Sequence, residues 1–110
     1  MRADPPTPPS LSTFLVERYW PGVTLAAFTE AAQRVRASVD VLQSSGEPIG
    51  ELVSTLVPED EAAYWTVEAQ AVRLVELAFS RAEVSYDRIL AAIGVDSASV
   101  PAGRGVRRDG

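Results

Sequence analysis

Residues 49–69 read IGELVSTLVPEDEAAYWTVEA. Ile49–Val57 and Ala62–Ala69 are both rich in β-branched, aromatic and small apolar residues, and Pro58-Glu59-Asp60 between them is a polar turn. Two β-prone runs joined by so short a turn read as an antiparallel hairpin. The hairpin supplies the middle of the chain, and what flanks it fixes the fold class.

Upstream, Thr24 can cap a helix in which Leu25, Phe28, Ala32, Val35, Val39 and Leu42 recur at three-and-four spacing, until Ser44-Ser45-Gly46 breaks it. Before it, Ser12–Trp20 (STFLVERYW) is a strand by composition and stops at the turn dipeptide Pro21-Gly22. Downstream of the hairpin, Val72, Val75, Phe79 and Ala82 mark one face of a second helix that starts near Gln70 and ends near Glu83. Tyr86–Val95 (YDRILAAIGV) is read as a closing strand or mixed edge element, helix being the alternative that its propensities allow. The order is β-α-β-β-α-β, an α+β domain of ferredoxin-like two-layer type over residues 13–96. A proline-rich tail (residues 1–12) and a basic tail carrying Arg104, Arg107 and Arg108 (residues 97–110) flank it and are expected to be disordered.

Strand-helix-strand crossovers are right-handed, so this order places both helices on one face of a single antiparallel sheet. The opposite face then meets water and should be polar at every second residue. It is not: alternation gives Phe14, Val16, Trp65 and Val67 to the helix side and Leu15, Glu17, Tyr19, Tyr64, Thr66 and Glu68 to the open side, while the first hairpin strand puts Val53 and Val57 opposite Leu52 and Leu56. An apolar patch of this kind marks an interface or a ligand groove. The expectation is a homodimer packed through the open face into a barrel-like α/β assembly, with a small-molecule pocket there. Burial contributes about 25 cal/mol per Å² of apolar surface, so pairing would add several kcal/mol to a small domain's marginal stability.

Composition excludes many chemistries. The 110 residues contain neither cysteine nor histidine, which removes disulfides, thiolate or imidazole metal sites, cysteine nucleophiles and triads that need a histidine base. A net charge of −5 argues against nonspecific nucleic-acid binding, which needs a basic face. No apolar run is long enough to span a bilayer, and Met1–Ser12 lacks the apolar stretch of a signal peptide, so a cytoplasmic protein with no membrane partner is expected. The acidic turn Pro58-Glu59-Asp60-Glu61 lacks the alternating oxygens and glycine of a calcium loop and reads as a solvated hairpin turn.

The candidate catalytic residues are Glu17 and Glu68, on strands that neighbour each other in this topology. Two carboxylates in an apolar groove among Tyr19, Tyr64 and Thr66 can raise one pKa and act as acid and base. The alternative is an ion pair with Arg18 or Arg88. Arg18 and Arg88 are candidate ligand-binding residues, since a guanidinium grips an anion bidentately, and the competing reading is a surface pair with Asp87, Glu17 or Glu51. Trp20 beside Tyr19 is either an aromatic lid or a prop under the first helix. No cofactor is implied. Two readings of function stand: a noncatalytic dimeric ligand-binding or accessory domain, and a cofactor-independent enzyme of isomerase, cyclase or monooxygenase type with Glu17 or Glu68 as base.

The passages FLVERYWPGVT, VLQSSGEPIGELVSTLVPEDEAAYWTVEA and VSYDRILAAI, in this order, resemble a bacterial family of small stand-alone ferredoxin-like domains of unknown function that includes a nickel-binding member. Val16-Glu17-Arg18, Pro21-Gly22 and Glu68-Ala69 carry the resemblance, which spans Thr13 to Val95. It implies the ferredoxin-like fold and a tendency to dimerise. Nickel does not transfer, because borderline metals favour imidazole or thiolate donors and this chain has neither. A metal site built on the carboxylates of Glu17 and Glu68 would suit a hard cation instead.

Overall fold

A computed structural model of the chain describes residues 10–93. Nearly all of the expected N-terminal tail, the last residues of the expected domain and the whole basic tail lie outside them.

The elements run β1 (Ser12–Tyr19), α1 (Leu25–Ser44), β2 (Ile49–Val57), a 3₁₀ turn over Pro58–Asp60, β3 (Ala62–Ala69), α2 (Val72–Ala82) and β4 (Arg88–Ala92). The strands form one antiparallel sheet in the order β2-β3-β1-β4. Small α+β architecture, element order and strand order are all compatible with a ferredoxin-like sandwich. Of the expected closing element Tyr86–Val95, residues 94 and 95 lie outside the described residues, and Arg88–Ala92 is a five-residue edge strand rather than a helix. The reason lies just upstream: Glu83 adopts the left-handed conformation at φ 58°, Val84 N–H donates to Phe79 C=O and Glu83 N–H to Ser80 C=O. This paired closure ends the helix, and buried Val84 anchors it. Asp87 N–H then donates to Glu17 C=O and starts β4 along β1.

The first helix is capped as its sequence predicts, Ala27 N–H donating to Thr24 Oγ1 at 3.1 Å. Its far end closes with Gly46 at φ 89°, Gly46 N–H donating to Gln43 C=O and Glu47 N–H to Leu42 C=O. The buried stripe of α1 is Phe28, Ala31, Val35, Ser38, Val39 and Leu42. Leu25, expected on that face, is 71% exposed at the first position of the helix. In α2 the core face is Leu74, Val75, Ala78, Phe79 and Ala82, and Val72 stays exposed. Leu74, absent from the sequence-level stripe, forms with Ala78 and Ala82 an i, i+4, i+8 row.

The helix side of the sheet matches the alternation. Val16 lies opposite Trp65 and Phe14 opposite Val67, and Val16, Trp65 and Val67 are fully buried. Trp65 packs between Phe28, 6.0 Å away ring to ring, and Phe79, which meets it edge-on at 5.2 Å. Phe79 in turn stands edge-on to Tyr86. Ser38, the buried polar side chain of α1, donates its Oγ–H to Ala78 C=O at 2.7 Å and ties the helices together. Arg34 does the same at the surface, donating to the carbonyls of Ala82 and Glu83 at the end of α2, where a cation meets the negative end of the helix dipole.

Two stability experiments follow from this packing. Trp65→Ala should cost roughly 3–5 kcal/mol in chemical denaturation. Trp65→Phe should cost much less, because the buried Trp65 indole N–H has no hydrogen-bond partner and its removal relieves a desolvated donor. Glu83→Gly should raise stability by about 1 kcal/mol, since glycine enters the left-handed region without the Cβ clash.

Candidate functional site

The open face is laid out by the register. Across β1 and β3, Thr13 lies opposite Glu68, Leu15 opposite Thr66, Glu17 opposite Tyr64 and Tyr19 opposite Ala62. From the flanks β4 adds Arg88, Leu90 and Ala92 beside Glu17, Leu15 and Thr13, and β2 adds Val53, Thr55 and Val57 beside Thr66, Tyr64 and Ala62. The β2 register shifts between Glu51 and Val53. A bulge at this point puts Glu51 and Ser54, opposite Val67 and Trp65, on the same helix-facing side. Leu15, Tyr64, Thr66 and Leu90 are half-buried, while Tyr19 is 62% and Val53 49% exposed. The face is thus an apolar middle with polar ends.

Glu17 and Glu68 both belong to it but do not meet. Glu68 is aligned with Thr13, four residues along β1 from Glu17, a separation of roughly 13 Å at strand rise. The expected shared pocket of two carboxylates is therefore corrected to two separate positions. Glu17 accepts from Arg88 Nε at 2.8 Å, so the competing ion-pair reading describes both residues. Among the described residues no three carboxylate, imidazole or thiolate groups gather as metal ligands.

What does come together lies at the end of the sheet where β1 leaves and β3 enters. A groove of about 430 Å³ is lined by Glu17, Arg18, Tyr19, Asp60, Ala62, Tyr64 and Asp87. Of the expected ligand-binding set, Arg18, Tyr19 and Tyr64 reach it. Thr66 sits further along β3, and Arg88 is turned to Glu17. Asp87 holds the rim by accepting from Tyr19 N–H at 2.5 Å.

Arg18 is placed differently from its neighbours. Its register partner is Ala63, on the helix side, and its guanidinium carbon stands 3.7 Å over the centre of the Trp20 ring. Burial lowers the Arg18 pKa from its ordinary value, and the charge of Asp87 opposes that shift. Trp20 is half-buried against the core, so it props the start of the first crossover and is no lid. Its backbone is fixed by Glu61: Trp20 N–H donates to Glu61 C=O at 2.7 Å and Gly22 N–H to Glu61 Oε2 at 3.0 Å. Glu61 takes a left-handed φ of 49° and Gly22 one of 73°. The acidic turn expected to be merely solvated thus clamps the β1–α1 connection. Sequence reasoning took Asp60 and Glu61 only as a solvated turn and Asp87 only as a pairing partner for an arginine; their position next to strand ends was the signal of a part in the site.

No family profile matches the chain, and no curated protein does. Among solved structures it is similar to the Streptomyces coelicolor A3(2) protein SCO4226, at 17% identity and a TM-score of 0.61, over 77% of this chain and 100% of that one. At such identity the likeness shows the fold alone.

The Glu17–Arg88 pair is partly solvated, with the Glu17 side chain 23% and the Arg88 side chain 63% exposed. A double-mutant cycle with Glu17→Gln and Arg88→Gln should give a coupling of about 0.2–1 kcal/mol in urea denaturation. A larger value would mark the pair as a built part of the site.

Proposed function

We propose that the chain is a noncatalytic ligand-binding or accessory domain that works as a homodimer, paired through its open sheet face, with a small-molecule groove at the Tyr19–Tyr64 end. The observation that carries this reading is the one-sided helix layer. Both helices cover the face of Val16 and Trp65, while the reverse carries Leu15, Tyr64, Val53, Val57 and Leu90 in register. A contiguous apolar surface of this kind is a recurrent feature of interfaces.

The sequence resemblance to small stand-alone ferredoxin-like domains supports pairing as well. An enzyme using Glu17 or Glu68 as base is the weaker reading, because the two carboxylates stand apart and Glu17 is held by Arg88.

Sedimentation equilibrium of the purified chain should give the mass of a dimer. Leu15→Arg, which sets a charge in the middle of the face, should give a monomer with an unchanged far-UV circular dichroism spectrum. A wild-type monomer at sub-millimolar concentration would end this proposal.

A further inference from the structure

We propose that Arg18, stacked on Trp20, anchors a second binding site, on the helix side of the sheet, for the oxyanion of a small carboxylate or phosphate metabolite. Arg18 borders the open-face groove as well, but this second groove lies on the helix side and does not depend on the dimer.

The stack sets the geometry. With its carbon 3.7 Å over the indole, the guanidinium lies against an aromatic face, and a guanidinium held on a ring in this way keeps its N–H donors available for bidentate pairing with a carboxylate or phosphate. Among the described residues no hydrogen bond or ion pair uses those donors, whereas Arg34, Arg36 and Arg88 each have partners; Arg73 and Arg81 also lack one but are exposed on α2, while Arg18 is half-buried. A half-buried guanidinium with its fork unspent is a costly arrangement to keep without a ligand.

Arg18 lines a groove of about 250 Å³ together with Trp20, Glu30, Arg34 and Glu83. That size lies below the roughly 300–1,000 Å³ of drug-sized pockets and suits a small metabolite. Arg34 brings a second cation to the rim, immobilised by its bonds to the carbonyls of Ala82 and Glu83. Glu61 immobilises Trp20 through the backbone. Both arms are therefore ordered before any ligand arrives, which lowers the entropic cost of binding.

Three carboxylates face this region. Glu83 lies 4.0 Å from Arg34, and Asp87 is engaged by Tyr19 N–H. Asp87 is also the carboxylate whose charge acts on Arg18, and Glu30 lines the groove without an ion pair among the described residues, so an incoming anion meets the uncompensated repulsion of Glu30. This fixes the sign of its effect: Glu30→Gln tightens binding.

The test is a titration of the full chain with inorganic phosphate and, separately, with succinate, at constant ionic strength. Tryptophan fluorescence and the ¹⁵N–¹H resonance of Arg18 Nε are the readouts, with Trp20→Phe assigning the fluorescence signal to Trp20 rather than Trp65. Saturable binding of at least one of the two anions is expected, and which one binds identifies the oxyanion. Arg18→Gln should weaken it at least about tenfold, the loss of charge-assisted hydrogen bonds. Arg18→Lys keeps the charge, loses the fork, and should also weaken it, while Leu15→Arg should leave it unchanged. Absence of saturation by both anions, unaltered binding in Arg18→Gln, or weaker binding in Glu30→Gln would overturn the proposal.

Discussion

The packing of one indole between two helices holds this domain together. Trp65 sits at the centre of β3, itself an interior strand of the sheet, and touches Phe28 of α1 and Phe79 of α2. A single large side chain thus joins all three structural pieces, and the smaller residues around it, Val16, Val35, Val39, Val67 and Leu74, complete the layer. With no cysteine or histidine in the chain, neither a disulfide nor a zinc site reinforces this core, and its quality rests on close packing.

The same layer explains why chemistry collects at one end of the sheet. Its middle is filled on the helix side, so polar groups gather where β1 ends and the crossover begins. There the backbone departs from regular structure twice, at Glu61 and Glu83, both left-handed without being glycine. Each of these residues earns its place through its neighbours: Glu61 fixes Trp20 and Gly22, and the carbonyl of Glu83 fixes Arg34. Local strain at both positions is offset by the contacts that hold the Arg18 stack and its groove open.

Much of the architecture was legible in the chain. Period-two alternation in β1 and β3 assigned Val16 and Trp65 to one face and Leu15 and Tyr64 to the other, and Thr24 announced the start of α1. The last strand was ambiguous because Ile89, Leu90 and two alanines suit a helix as well as a strand; the left-handed turn at a glutamate that separates it from α2 has no local signature. Pairing partners were harder still. Alternation tells which face a side chain occupies but not how far along it lies, so Glu17 and Glu68 shared a face in the sequence and stand four residues apart in register. Arg18 was singled out for its chemistry, whereas its contact with Trp20 depends on where the chain turns after β1.

The irregular pairing of β2 bears on whether its free edge can template aggregation. β2 is an outer strand with nine residues and a single charge, Glu51, a profile prone to recruit other chains edge to edge. The shift between Glu51 and Val53 breaks its hydrogen-bonding rhythm and increases its twist, so a neighbouring molecule finds no straight template to extend. Edge-to-edge polymerisation is blunted in this way at the margin of the sheet.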